Sequence, residues 1–448
     1  NPTGPLHIGH CRGAIIGDVI ASLYRKMGFD VTREYYVNDA GGQIEQLVHS
    51  VENKYREKVS VNSDDQDITY NGQYIENIAD ELYKKFQSTL LNKTNHDILI
   101  KDHAINHILN LIKQDLEKVN IKHDVFFSEG SLLERDEISQ TIEYLKTKNY
   151  IYWGKLPLPK NQVEVNAEER EQNLFASTRF GDDIDRAISK EDGSHTYFAS
   201  DIAYHRNKLT RGYSKLINIW GADHAGYVKR LQGAVTALSD GKANVEIILC
   251  QLVKLFRDNK PVKMSKRNND YVTIGEVVSE VGSDPVRFMM LFRKSDAPLD
   301  FDFVKVCDKS KENPVFYVQY AHARIHSVIR NWNEDQKKDF IKEFSILNTN
   351  FDMLIHPQEI GLIKKMSQFP SLLKNVIDTN DVHRIAYYLH ELASDFHTLW
   401  NIGNDNQDMR FITDSDVKTL QRLSMIFLVS QVIKKGLDLL GVGCPEKM

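Results

Sequence analysis

The residues best suited to chemistry stand at the start of the chain, in Asn1-Pro2-Thr3-Gly4-Pro5-Leu6-His7-Ile8-Gly9-His10. Two prolines and a glycine keep this stretch irregular up to Pro5. Apolar residues then recur at helical spacing, with Ile15, Ile16, Val19, Ile20, Leu23 and Met27 on one face and Gly28 suited to the C-cap. His7 and His10, three apart where loop becomes helix, can turn both rings toward one ligand. Free backbone N–H groups and the positive end of the helix dipole make such a place an anion site. A nucleotide phosphate is the obvious anion, and Gly9 would let it approach the backbone. Gly4 serves the same end or only the turn. Two solvated histidines at a helix start explain four residues equally well.

A second cationic stretch, Lys263-Met264-Ser265-Lys266-Arg267, lies far downstream in a polar loop after a hairpin-like segment. Alone it is an exposed basic turn. Reaction at the α-phosphate of ATP builds negative charge on the phosphoryl oxygens and on pyrophosphate, so positioning and positive charge do most of the catalysis. His7 and His10 can contact phosphate oxygens, while Lys263 and Lys266 on a mobile loop can close over the pyrophosphate. Asp223, at the end of the strand-like Leu216–Trp220, sits where open α/β sheets bind ligands. Its carboxylate suits ribose hydroxyls; capping the following helix is an equal and compatible role.

The elements that must hold these groups follow from pattern. Asp30–Val37, Asp124–Phe127, Leu216–Trp220 and Val245–Leu249 read as strands, and Gly181–Arg186 and Ser189–His195 as turns. A helix is expected from about Gly226 to Leu238. Between residues 42 and 122 the pattern is polar and helical, an insertion without visible chemistry. Strands alternating with helices predict an α/β fold, a Rossmann-like doubly wound parallel sheet, over 1–305. Past Val304 the strand signals fade, which predicts an all-α C-terminal domain over 306–448. Its last helix, Ser415–Leu440, carries Val417, Leu420, Leu423, Phe427, Val432 and Leu437 on one apolar face. A doubly wound domain places a strand before its first phosphate loop, so the chain reads as truncated at its N-terminus.

Length and composition fit this. The 448 residues, 41% hydrophobic and 27% charged, allow about two or three domains of ordinary cores. The net charge of −5 gives no bulk sign of nucleic-acid binding, so any polyanion site must be a local patch. No run of about 18 apolar residues suggests a membrane span. Cys11, Cys250, Cys307 and Cys444 are scattered, with no zinc spacing, as in a reduced cytoplasmic protein.

In this order and at this separation, His7–His10 and Lys263–Arg267 resemble the HIGH and KMSKS motifs of class I aminoacyl-tRNA synthetases. The opening NPTGPLHIGH, REYYVNDAGGQ (Arg33–Gln43), WGADHAGYVKRL (Trp220–Leu231) and KMSKRNNDYVTI (Lys263–Ile274) resemble the arginyl-tRNA synthetases. So do DPVRFMML (Asp284–Leu291), DFDFVKV (Asp300–Val306), NPVFYVQYAHARI (Asn313–Ile325) and GLDLLGVGCPEKM (Gly436–Met448), which carries the resemblance from end to end. It implies ATP with Mg²⁺, arginine and tRNA(Arg) as partners, a monomer, no resident metal, no zinc and no editing domain. His224 and Met264 would join the ATP site. Tyr197 and Asp201, a Y-x-x-x-D pair one helical turn apart, would line the arginine side-chain pocket; carboxylates and aromatic faces are what a guanidinium needs. Asn1 would contact the amino acid and Glu129 its ammonium. The helical domain would bind the anticodon, with Tyr317, Tyr320 and Trp400 available for stacking on bases. The family's added N-terminal domain is missing from this sequence. Two other readings stay open: another synthetase or nucleotidylyltransferase with a HIGH motif, and a non-catalytic tRNA-binding paralogue.

Overall fold

In the computed structural model the chain is described over residues 1–61, 69–155, 171–190, 192–262, 272–345 and 350–448. Lys263, Met264 and Lys266 lie outside these residues. The first helix, α1 (Ile8–Lys26), starts where the proline-broken stretch ends and buries Ile8, Cys11, Ile15, Ile16, Val19 and Leu23. Strand β1 (Glu34–Val37) is shorter than the sequence pattern predicts, because the Val31 carbonyl is taken by the Arg25 guanidinium and not by a ladder. The insertion is α2 (Gly42–Lys58), α3 (Gln73–Phe86) and α4 (His96–Lys118), as its periodicity requires. It crosses over to β2 (Val125–Ser128), which pairs in parallel with β1, Tyr36 opposite Phe127.

Helices α5 (Gly130–Glu134) and α6 (Glu137–Thr147) follow. Next comes an antiparallel ribbon of β3 (Ile151–Lys155), β4 (Glu171–Phe175) and β5 (Arg186–Ala187). This ribbon is absent from the sequence reading, which has turns around β5; a two-residue strand carries too little alternation to show. Then come α7 (Tyr197–Thr210), β6 (Lys215–Gly221), a 3₁₀ turn over Ala222–Tyr227, α8 (Val228–Ser239) and β7 (Asn244–Cys250), parallel to β6. The chain continues with β8 (Val253–Arg257), β9 (Lys260–Pro261), α9 (Ile274–Val281), α10 (Ser283–Leu291), β10 (Leu299–Asp302) and α11 (Phe303–Cys307). Strand β8 is parallel to β10 and antiparallel to β9. Only helices follow among the described residues: α12 (Pro314–Gln336), α13 (Phe340–Glu343), α14 (Pro357–Ser367), α15 (Phe369–Thr379), α16 (His383–Asp405) and α17 (Asp416–Leu440).

The chain forms two compact units that do not coincide with a cut at residue 305. The first holds Asn1–Pro5, Arg33–Lys113 and His123–Cys250; the second holds Leu6–Thr32, Gln114–Lys122 and Gln251–Met448. In the first, α7 and α8 pack Phe198, Ile202, Ala234 and Leu238 with Phe127, Leu132 and Phe175. In the second, α12, α16 and α17 pack on one another around Leu389, Phe396, Leu423 and Ile433. Val417 and Leu420, expected on the apolar face of α17, are instead exposed. The helix buries a broader belt from Thr419 to Ser430, so a single stripe does not describe it. Three guanidinium groups, Arg12, Arg287 and Arg422, are the largest fully buried side chains of this unit. Each is satisfied by carbonyls or a carboxylate, the condition for burying a cation.

Candidate active site

His7 is the N-cap of α1, and its side chain accepts from the Gly9 amide (3.1 Å). His10 Nδ1 accepts in return from the His7 amide (3.3 Å), and the two rings stack with centroids 3.7 Å apart. The expected open amides are therefore occupied. Ile8 N–H donates to Val272 O (3.1 Å) and His10 N–H to His7 O (2.9 Å). With Nδ1 accepting in each ring, Nε2 is the nitrogen of each that can donate. Gly9 also serves the cap. A Cβ there would stand 2.9 Å from the His7 ring, so glycine makes room for the cap.

Ile274 N–H donates to Leu6 O (3.0 Å), and His7 bridges Thr273. The residues that follow 263–271 are thus stitched to the start of α1. Thr273 and Glu276 form the capping box of α9, and on the other side Val262 N–H donates to Leu255 O (2.9 Å). Sequence separates the two motifs by about 250 residues; hydrogen bonds bring the histidine pair to Val272–Ile274.

In the first unit, Glu129 and Asp201 form an acidic pocket. Glu129 sits at the turn from β2 into α5, where Asp39 fixes the backbone by accepting from the Gly130 amide (2.8 Å). Asp201 lies on α7 one turn after Tyr197, confirming the helical spacing expected of the pair. Asp201 accepts from the Tyr227 hydroxyl (2.6 Å), while Glu129 is hydrogen-bonded by Tyr36 and Ser200. The Asn38 amide, oriented by its contacts, donates to Glu129 Oε2 (2.8 Å). Burial raises the Glu129 pKa to about 7, helped by the repelling Asp201 charge, and burial raises Asp201 to about 6. Among the described residues no cation forms a salt bridge with either carboxylate.

A buried network fixes α7. His205 Nδ1 bonds Asp201 O (2.7 Å) and its Nε2 meets Asn218 (2.9 Å), with burial pushing its pKa down to about 3, so it stays neutral. Tyr204 and Arg211 both hold Glu34, at 2.6 Å each. Tyr197 is 68% exposed at the mouth, its hydroxyl near Gly41. Asn1 donates to Gln43 (2.6 Å). Asp223 is exposed in the 3₁₀ turn beside His224 (3.6 Å), so it is open to a ligand. It is not the cap of the following helix that sequence also allowed; Tyr227 holds the N-cap of α8, with no side-chain cap.

Sequence reasoning passed over Tyr36, Asn38 and Tyr227, although each falls within a block singled out there. It also passed over Arg324. Tyr320 and Trp400 flank that guanidinium at 4.3 and 4.7 Å, and Tyr317 packs on His397 (4.4 Å). Arg324 stands four residues after Tyr320, which was the available signal. Glu52, His96 and Asp97 could meet around an ion, but Arg56 already pairs with Glu52 (2.8 Å). They do not fit a nucleotide's Mg²⁺.

Comparison with known proteins defines the class first. Residues 1–229 match the family of tRNA synthetases class I (R), catalytic domain, and residues 318–448 match the DALR anticodon binding domain. The fold is shared with Thermus thermophilus arginyl-tRNA synthetase (18% identity, TM-score 0.74, covering 100% of this chain and 81% of that one). A chain from Campylobacter jejuni solved as an arginyl-tRNA synthetase is similar at 35% identity and TM-score 0.83, over 100% and 92% of the two chains. This is a class I aminoacyl-tRNA synthetase fold. Arginine–tRNA ligases of Brucella anthropi and Brucella canis are 48% and 47% identical over 100% of this chain and 77% of theirs. The chain belongs to the arginyl-tRNA synthetase family.

Proposed function

We infer that this protein is an arginine–tRNA ligase. The arginine carboxylate attacks the α-phosphorus of ATP, the bond to pyrophosphate breaks, and arginyl-adenylate forms. A 3′-terminal ribose hydroxyl of tRNA(Arg) then attacks the carbonyl and AMP leaves. The observation that carries the reading is the pair of ionisable carboxylates, Glu129 and Asp201, close enough to repel and, among the described residues, in no salt bridge, with Lys208 and His224 the positive groups that act on Asp201 from nearby. Two repelling carboxylates in a half-buried site are relieved by a ligand that brings positive charge and planar donors, which is what a guanidinium offers. Their mutual repulsion favours both acting on the guanidinium, with Tyr197 and Tyr227 as aromatic walls and Asn1 toward the amino-acid backbone. The resemblance itself assigns Glu129 to the substrate ammonium.

His7 and His10 would donate Nε2–H to phosphate oxygens as charge develops. Lys263 and Lys266 would take the pyrophosphate charge and Met264 the base, roles that rest on the sequence resemblance. Asp223 and His224 would hold the ribose side of ATP. Mg²⁺ arrives with ATP as part of the substrate. The DALR region would bind the anticodon loop, with Arg324, Tyr320 and Trp400 offering charge and aromatic surface to nucleotides. We take the working form to be a monomer in the cytoplasm. No helix among the described residues is long and apolar enough to cross a membrane.

Amino-acid-dependent ATP–pyrophosphate exchange, run with all twenty amino acids and with bulk tRNA, tests this. Exchange with arginine and not with citrulline, its neutral isostere, is expected. Exchange with another amino acid would overturn the pocket.

A further inference from the structure

Three deeply buried carboxylates of this chain each meet a guanidinium: Asp18 with Arg287 (2.6 Å), Asp182 with Arg186 (2.7 Å) and Glu359 with Arg422 (2.7 Å). Glu129 and Asp201 are met differently. The Tyr227 hydroxyl donates to Asp201 Oδ2 (2.6 Å), and Tyr36 and Ser200 hydrogen-bond Glu129. A buried carboxylate needs donors. A guanidinium supplies them and cancels the charge; a phenol supplies one and leaves the charge in place. Both phenols are fixed by their surroundings. The Tyr227 ring lies edge-on to Phe198 and Trp220 (5.9 Å each), with the Arg230 guanidinium 4.8 Å from its centroid, and Tyr36 packs on Tyr204 (4.6 Å). Burial and the nearby carboxylates raise both phenol pKa values well above the usual range, so both hydroxyls stay donors.

We propose that Tyr36 and Tyr227 are specificity-determining residues: they hold Glu129 and Asp201 as neutral donors, so the pocket keeps both negative charges for a guanidinium and rejects its uncharged isostere. An ionised carboxylate repels the ureido oxygen of citrulline, whereas a protonated carboxyl donates to it. Each phenol favours the ionised form by hydrogen-bonding it. Other charges act on the same pair. Lys208 on α7 and His224 in the 3₁₀ turn favour ionised Asp201, while Asp201 and Asp39 oppose ionisation of Glu129. His205, kept neutral by burial, bonds the backbone carbonyl of Asp201. Lys208 itself is turned to Asn218 Oδ1 (3.3 Å), and His224 lies beside Asp223 (3.6 Å). The two carboxyls therefore titrate as a pair, and the phenols act on that pair as positioning residues. The proposal rests on the arginylation reading given above.

The test compares wild type with Tyr227→Phe, Tyr36→Phe and the double variant in arginine-dependent ATP–pyrophosphate exchange with bulk tRNA, from about pH 6 to about pH 9. Each change removes one oxygen and keeps the ring, and either single variant decides the matter if the double variant does not fold. At about pH 6.5 the arginine KM should rise about tenfold in each single variant, from the loss of one charge-assisted hydrogen bond. The acid limb of kcat/KM should stand about one pH higher. At about pH 9 the carboxyls ionise without help, so the KM ratio of variant to wild type should narrow to about threefold. The ATP KM should stay within about twofold of wild type throughout. Citrulline, added as an inhibitor at about pH 6.5, should bind the double variant about tenfold more tightly than wild type. An arginine KM ratio that is the same at both ends of the pH range would overturn the proposal, because damaged packing costs the same at each. An arginine KM unchanged at every pH would overturn it too, as would undiminished rejection of citrulline by the variants. Absence of arginine-dependent exchange by wild type would defeat the arginylation reading itself, a separate outcome.

Discussion

Glu129 and Asp201 make arginine binding depend on pH in a direction fixed by their environment. Both carboxyl pKa values are raised, to about 7 and about 6, so both groups are charged only above that range. A cationic ligand prefers them ionised. kcat/KM for arginine should therefore be constant above about pH 7 and fall as pH drops through 7 and 6, which a pH–rate profile will show. For folding the sign is opposite. A carboxyl whose folded pKa exceeds its unfolded one favours the folded state at low pH, and that contribution is lost as pH rises toward 7. Arginine should consequently raise the thermal midpoint more at pH 8 than at pH 5.5. Asp201→Asn removes one charge-assisted contact, and should raise the arginine KM by about 10- to 150-fold, from the ~1.5–3 kcal/mol such bonds contribute. Little change in KM would remove Asp201 from the pocket. Gly9→Ala tests the histidine cap: the added methyl displaces the His7 ring, so about 1 kcal/mol of stability and most of the exchange activity should be lost together.

At the scale of elements, the start of α1 and the start of α9 are one device. The bridge from His7 to Thr273 and the bonds from Ile8 and Ile274 join two helix N-termini, and each N-terminus has a capping box. The second helix begins at Ile274, so the cap fixes the described residues that follow 263–271. Thr273→Ala should cost about 1 kcal/mol and weaken the ATP KM more than the arginine KM, because it loosens this junction and leaves the acidic pocket intact. Equal changes in both would argue against a local effect. The β3–β5 ribbon contrasts with this. Its Trp153 is 61% exposed, and its contribution to stability should be small.

Across the whole molecule, stability is held by a few buried ion pairs as well as by apolar cores. Arg422 and Glu359 meet at 2.7 Å with side chains 1% exposed, and Arg422 also donates to the Asp408 and Arg410 carbonyls. Removing one partner strands the other charge. Glu359→Ala should cost about 3–5 kcal/mol. Hydrogen exchange will place the loosened amides in residues 357–440, while protection induced by arginine in residues 33–250 should persist. With a net charge of −5, the proposed tRNA contact rests on local cationic groups such as Arg324, not on bulk attraction. Binding should weaken with salt, at a modest log–log slope set by few phosphate contacts.

Resemblance to a known family supplied the class of chemistry and the roles expected of Tyr197 and Asp201; the sequence pattern by itself determined the α/β order with its helical insertion and the helical C-terminal region. These depend on short-range pattern: periodicity, prolines and the spacing of a few polar residues survive in one dimension. What tertiary structure decided are the relations between distant segments. The capping of the Gly9 amide by the His7 ring and of the His7 amide by the His10 ring, the room Gly9 leaves, the approach of Glu129 to Asp201 and the carbonyls and carboxylate around Arg287 each need partners that helix and strand spacing do not encode. Val417 and Leu420 fail for the same reason. Which face of a helix is buried depends on the neighbours that surround it, and α17 has neighbours on more than one side.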